Sequence, residues 1–486
     1  MKKRLMPILF VLIIVLCAIS FCGCEKIQAN SYDIAITLDT QAKTFTAVQE
    51  TVYVHNSSVA TDKVCFNLYQ NTTSADATYT AVPKDMKFQA YPNGDSYGMI
   101  TIENVKIGEN NAEFEIAGTD ENFLIVSLDT PLCEGESVVI TMEYTVVLAN
   151  INSRLGYGED TINLGNFYPI LAVFEESENS GEFYECIPYS LGDPFYSDVA
   201  DYNVSITLSN EYVVASSGAE VDIKINGDSK TISFEADDIR SFCLVCSDNF
   251  SVQTQIKNGI EINYYYIEDA SPTKTTALIA NTLDLFEDSF GEYEYDTFSV
   301  VDANFFQGGM EYSALVMVSL SAPTEYRKVV IVHETAHQWW QTMVGTNEIE
   351  TSIIDEGLAE FSTRYFFETY PEYGVDSEAM IAQKQDTYDT YLQILNVLDE
   401  PTPPTPTKSL SEYRSTYDYY ALVYVKGQLL FEEISTTVGQ EEFINYLKKL
   451  KTQYNLENIT IEDLIALAEL EFGTEVSNQM QNLFYT

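Results

Sequence analysis

Between Tyr32 and about residue 255, apolar and polar positions alternate in short runs. Tyr32, Ile34, Ile36 and Leu38 form one series; Val64, Phe66 and Leu68, then Val138, Ile140 and Met142, then Tyr202, Val204, Ile206 and Leu208 form others. A period of two sends successive side chains to opposite faces, so each run predicts a half-buried strand. Clusters such as Gly108-Glu109-Asn110-Asn111 predict the intervening turns. The pattern predicts an all-β, largely antiparallel domain over 31–255, without an internal repeat.

The period changes near Tyr264. Ile279, Leu283, Phe286 and Phe290 recur at helical spacing and stop at Gly291. Lys328 to Val344 holds neither Gly nor Pro, which predicts a helix running up to Gly345. Phe443, Leu447 and Leu450 make a further stripe; Leu464, Leu467 and Leu470 make another, opened by the capping pattern Thr460-x-x-Asp463. Pro401 to Pro406 predicts a loop between helices. Residues 256–486 therefore read as a second domain, α+β at first and mainly helical afterwards, in a chain whose class is multidomain α+β.

Composition narrows the function. With 45% hydrophobic and 13% aromatic residues the chain has ample material for packed cores, which excludes disorder. A formal net charge of −49 excludes nucleic-acid binding and polybasic membrane docking. Lys2, Lys3 and Arg4 precede an apolar run from Leu5 to Phe21, followed by Cys22-Gly23-Cys24. This reads as an export signal over 1–23, its end similar to a bacterial lipobox with cleavage before Cys24, which would carry lipid. An uncleaved N-terminal anchor is the alternative; both readings expect an extracytoplasmic protein tied to the cell membrane. Removal of the leader takes away three basic residues, moving the net charge from −49 to −52.

Cys65, Cys133, Cys186, Cys243 and Cys246 then remain, an odd number that is no disulfide scaffold. Cys243-x-x-Cys246 lacks a second Cys/His pair for structural zinc and sits in an apolar run, so packed thiols are expected there.

The chemistry concentrates at Val332-His333-Glu334-Thr335-Ala336-His337-Gln338, which holds two of only 3 histidines. On a helix, positions four apart share a face, so both imidazoles reach one ion. Glu334 is turned from ligation yet stays beside the metal, where it can take a proton from water. Glu356 follows His337 with 18 residues between, enough for a loop and a returning helix. The expected set is one Zn2+ per chain held by His333, His337 and Glu356, leaving a position for water.

This spacing resembles the gluzincin metallopeptidases, and specifically the aminopeptidase N family with its leukotriene hydrolase relatives. Gly308-Gly309-Met310-Glu311-Tyr312, whose Glu311 lies 22 residues before His333, resembles the family's G-[AG]-M-E-N motif. Tyr424-x-Lys426-Gly427, whose Tyr424 lies 68 residues after Glu356, resembles its Y-x-K-G motif. Phe167-Tyr168-Pro169 and Gly192-Asp193-Pro194-Phe195 look like parts of its saddle-shaped β domain. The resemblance implies that β domain, followed by a thermolysin-like peptidase domain.

It also implies roles. Glu334 would act as general base, and Glu311 would hold the free α-amino group of a peptide. Gly308, Gly309 and Met310 would lie along the substrate, and Tyr424 would donate to the oxyanion. Tyr312 stands where Asn is common, and Asp355 precedes Glu356 where Asn is commoner, so the amine-end geometry is expected to differ. The family's large C-terminal helical domain is expected to be absent or reduced, with a more open cleft. The implied activity is zinc-dependent removal of N-terminal residues from peptides. A non-peptide such as an epoxide as substrate, or a non-catalytic cell-surface binding protein on the same fold, are the alternatives. The acidic excess further predicts attraction of peptides rich in ammonium and basic groups.

Overall fold

The computed structural model describes residues 29–177, 180–399 and 404–486; the leader and Cys24 lie outside them. Among the described residues no helix is long and apolar enough to cross a membrane. Ser31–Asp39 buries Tyr32, Ile34, Ile36 and Leu38 and exposes Asp33, Ala35 and Thr37, as its alternation dictates. It lies inside an eight-stranded sheet, antiparallel to Thr44–Val54 and parallel to Ala200–Ser209. Thr61–Asn67 departs from alternation, with Val64 to Asn67 all buried, because it belongs to a second sheet covered on both faces. Cys65, Cys186, Cys243 and Cys246 are buried free thiols, and Cys133 is an exposed one.

Leu244–Ser247 is the last strand of this β-rich part, while Ser251–Lys257 pairs with Ile260–Tyr266 and opens a five-stranded sheet. The change of sheet thus falls between Ser247 and Ser251, a few residues ahead of the division at 255/256. The order in the new sheet is Ser251–Lys257, Ile260–Tyr266, Thr297–Ala303, Leu315–Ser319, Gly309–Tyr312. Gly309–Tyr312 is consequently an edge strand, paired only with Leu315–Ser319 and antiparallel to it.

Helices of eight residues or more are numbered from α1, Pro272–Phe290, which buries Ile279, Leu283, Phe286 and Phe290 and ends at Gly291 with φ 113°. Then follow α2 (Thr324–Ala336), α3 (Ile353–Thr369), α4 (Ser377–Val397), α5 (Gly427–Val438), α6 (Gln440–Gln453), α7 (Ile461–Phe472) and α8 (Thr474–Tyr485). The box formed by Thr460 and Asp463 caps α7. Its buried face runs through Ile461, Leu464, Leu467 and Ala468, and Leu470 is exposed. At about 100° per residue, position 470 has already rotated past that face.

The helix expected up to Val344 stops at Ala336. Beyond it the amides of Thr342, Met343 and Val344 reach back five residues, to the carbonyls of His337, Gln338 and Trp339. Two fully buried indoles hold this wider turn: Trp339 Nε1 donates to Gly291 O, and Trp340 Nε1 donates to Ser362 Oγ.

Apolar packing is divided. One cluster fills the β-rich part and takes in Ala421, Leu422 and Val423 from the far end of the chain. A second joins α1, α2, α3, α5, α6, α7 and α8. A smaller one joins Met310 and Tyr312 to Cys243 and Val245.

Candidate active site

α2 carries His333 in its last turn, and His337 follows immediately as its C-terminal cap. α3 returns against α2 and presents Glu356 in its first turn. Nε2 of His333 stands 3.2 Å from Nε2 of His337 and 3.2 Å from Oε2 of Glu356; His337 Nε2 is 3.4 Å from the same oxygen. Four-coordinate zinc with ligand bonds of about 2.0–2.1 Å holds its ligand atoms about 3.3 Å apart. The triangle therefore fits one zinc ion, and two imidazoles with one carboxylate are a donor set that suits it.

The widened turn after α2 contributes to this fit. Because the amide of Val344 bonds Trp339 O, the carbonyl of Trp340 is left for His337 Nδ1, which donates to it at 3.1 Å. That bond fixes the tautomer and leaves the Nε2 lone pair facing Glu356. Despite burial, the imidazoles of His333 and His337 hold Glu356 below the usual carboxylate range.

Glu334 is buried on the same side as Glu311, and carboxylate oxygens of both lie within 4.8 Å of a His337 ring nitrogen. Burial, with Glu311 nearby, pushes the Glu334 carboxyl well up. The edge strand passes directly over it: a Cβ on Gly309 would stand 2.4 Å from Glu334 Oε1, so only glycine permits this approach. Strand alternation then turns Glu311 into the cleft and Met310 away from it. Met310, expected along the substrate, has its side chain buried on the opposite face, where its sulfur accepts from Arg154 Nε. Glu311 Oε1 is buried and has no hydrogen-bond partner. Burial, and Asp193 after it, raise this carboxyl to about 8.

Two residues of the β-rich part complete this end, and local spacing gave no sign of them. Asp193 lines the cleft, fixed by an ion pair with Arg154, which also donates to Gly192 O and packs over Phe195. Tyr312 Oη donates to Asn166 Oδ1 at 2.8 Å, and a Cβ on Gly165 would collide with that phenol, so the departure at 312 ties the edge strand to the β-rich part. Asp355 accepts from Thr346 Oγ1 at 3.3 Å, with its other oxygen 4.0 Å from His337 Nδ1.

Tyr424 lies in a π-helical segment, Tyr420–Lys426, between the turn Thr416–Tyr419 and α5. Its phenol donates to Glu356 Oε1, and its ring faces that of His333 at 6.1 Å. His333, Glu334, Glu356, Gly308, Gly309, Glu311 and Tyr424 all line one cleft of about 530 Å3, with His337 buried behind His333.

Residues 275–483 match the Peptidase family M1 domain. Aminopeptidase 2 of Candida albicans is 26% identical over 290 residues, 53% of this chain and 30% of that protein. Aminopeptidase M1-B of Oryza sativa subsp. japonica is 24% identical over 394 residues, 75% of this chain and 42% of that protein. The chain thus spans less than half the length of these curated relatives. An M1 zinc metallopeptidase from Deinococcus radiodurans shares the fold, with a TM-score of 0.67 over 94% of each chain at 16% identity. A variant of that enzyme has been solved with a Tyr-Ser-Ala substrate, at the same TM-score. Residues 275–483 are thus similar to the Peptidase family M1 domain, within a fold shared with an M1 zinc metallopeptidase.

Proposed function

We propose that this chain is a zinc-dependent aminopeptidase acting on peptides with a free N-terminus. The observation that carries the reading is one cleft in which a zinc-sized ligand triangle faces a buried, unpartnered carboxylate oxygen of Glu311. A zinc ion bound by His333, His337 and Glu356 supplies a Lewis acid and lowers the pKa of water towards about 7.

Glu334 takes a proton from the attacking water and returns one to the departing amine. Glu311, with Asp193 beside it, receives the substrate's ammonium, and that contact limits cleavage to the first peptide bond. Gly308 and Gly309 offer the open side of an edge strand along which a peptide can lie extended. The Tyr424 phenol swings its donor from Glu356 to the oxyanion, stabilising charge that exists only in the transition state. The aminopeptidase relatives and the peptide-bound neighbour support the same reading.

The reading extends to location. The basic start, apolar run and Gly23-Cys24 support export and lipid anchoring through Cys24, so the work is done outside the cytoplasm. Cys24→Ala should release the protein from the membrane fraction; retention there would overturn the anchor.

A panel of aminoacyl chromogenic substrates, with N-acetylated counterparts and with a chelator, tests the activity. Hydrolysis of the free-amine series alone, lost on chelation, is expected. Equal hydrolysis of the blocked series would overturn the exopeptidase reading.

A further inference from the structure

Beyond the metal triad the cleft is closed by α4, a helix exposed along most of its length. Its inner side contributes Met380, Gln383 and Lys384 to the lining. Among the described residues that line the cleft, the carboxylates are Asp193, Glu311, Glu334, Glu356 and Glu360, and Lys384 is the only lysine or arginine.

Its place is well defined. Nζ of Lys384 is 2.9 Å from Glu360 Oε1, and both side chains are largely buried. Glu360 follows Glu356 by one helical turn on α3, so the pair sits about 6 Å along the helix from the metal ligand. Nζ also lies 5.4 Å from the centre of the Tyr420 ring, which stacks on Tyr424 at 5.9 Å. A peptide whose ammonium is at Glu311 passes His333 and Glu334 and then meets this wall. At about 3.3 Å per extended residue, a peptide with its first carbonyl at the triad would bring the residue just after the scissile bond to this pair. An ammonium has three donors, and Glu360 engages one of them.

We propose that Lys384 receives a carboxylate carried by the residue that follows the scissile bond, with Glu360 moderating its charge. The proposal rests on the aminopeptidase reading above. It makes the far end of the cleft select for an anion although the rest of the lining favours cations. The carboxylate has two sources, an acidic side chain or the C-terminus of a dipeptide.

Two substrate pairs separate them: Ala-Asp-amide against Ala-Asn-amide, and Ala-Ala against Ala-Ala-amide, each read as a ratio of kcat/KM. The zinc-loaded protein should favour the acidic member about tenfold in at least one pair, which names the source. Lys384→Met should bring that ratio to about one, Lys384→Arg should keep most of it, and Glu360→Gln should raise it. Ratios at or below one in both pairs, or a ratio unmoved by Lys384→Met in a variant that melts normally, would overturn the proposal. Cleavage of the amides with flat ratios sinks only this proposal, whereas absence of cleavage of either amide sinks the aminopeptidase reading and this one with it.

Discussion

The two halves of the cleft are supported by different cores. His333, His337 and Glu356 stand on α2 and α3, whose apolar faces, Val330, Ile331, Val332, Ile353, Ile354 and Leu358 among them, pack within the helical cluster. Tyr424 stands on a segment that packs against α3, α4 and α5, while its Ala421, Leu422 and Val423 are continuous with the apolar cluster of the β-rich part. Glu311 stands on the edge strand whose Met310 and Tyr312 join a third cluster with Cys243 and Val245. The metal-binding half is thus built inside one folding unit, whereas the substrate-handling half is assembled across the junction of two. Damage to the first should remove the ion; damage to the second should spare the ion and disturb what is done with it.

The largest effect tests the first half. Chelation, or His337→Ala, should abolish peptide hydrolysis and take elemental zinc from one per chain to none. A melting temperature that falls with it is expected, since an ion present at 1,000 times its Kd stabilises the native state by about 4 kcal/mol. Undiminished hydrolysis by the metal-free protein would break the comparison at its base.

Glu334→Gln comes next. It removes the proposed proton acceptor and keeps the side-chain shape against Gly309, so zinc should stay stoichiometric while kcat falls by about 10³. Loss of zinc in this variant would mean that Glu334 belongs with the ligands. For Tyr424→Phe the expected loss is about 10² in kcat, with KM little changed and zinc retained. A matching rise in KM would instead place Tyr424 in ground-state binding.

The smallest effect sharpens the contrast most. Leu422→Ala opens a cavity in the core that holds the Tyr424 segment and should cost about 2–5 kcal/mol of stability. At temperatures where the variant stays folded, its kcat should drop several-fold with zinc content unchanged, read by steady-state kinetics beside elemental analysis. A variant that sheds zinc would show that the two halves are not separately supported.

This division also explains what the sequence disclosed. Helical periodicity and the spacing from His333 to His337 to Glu356 are local properties, and a short reach of chain brings them together. The strands of the β-rich part were legible for the same reason, since Tyr32 to Leu38 alternate in sequence as they do in burial. Asp193 stands in a segment that resembles the family's β domain, but no spacing marks it or Lys384 for the cleft, or Arg154 as the anchor of Asp193: tertiary contacts bring them there. The end of α2 is not encoded locally, since nothing in Lys328 to Val344 forbids a helix; the burial of Trp339 and Trp340 decides it. Met310 was placed along the substrate by its motif, and the pleat turns it the other way.

The π-helical segment carries a consequence for length. A π turn is an α-helix with one residue inserted, and here that extra residue falls at Tyr420–Lys426, flanked by α-helical turns on both sides. Removing one residue from it would leave a continuous α-helix, at the cost of turning part of the buried face of Ala421, Leu422 and Val423 out of its packing. Everything before the deletion would then rotate by about 100° relative to α5, and a phenol held at Glu356 by that rotation would point elsewhere. The inserted residue therefore sets the angle at which Tyr424 meets Glu356, and a comparison of variants by length alone would mistake its loss for a harmless trim.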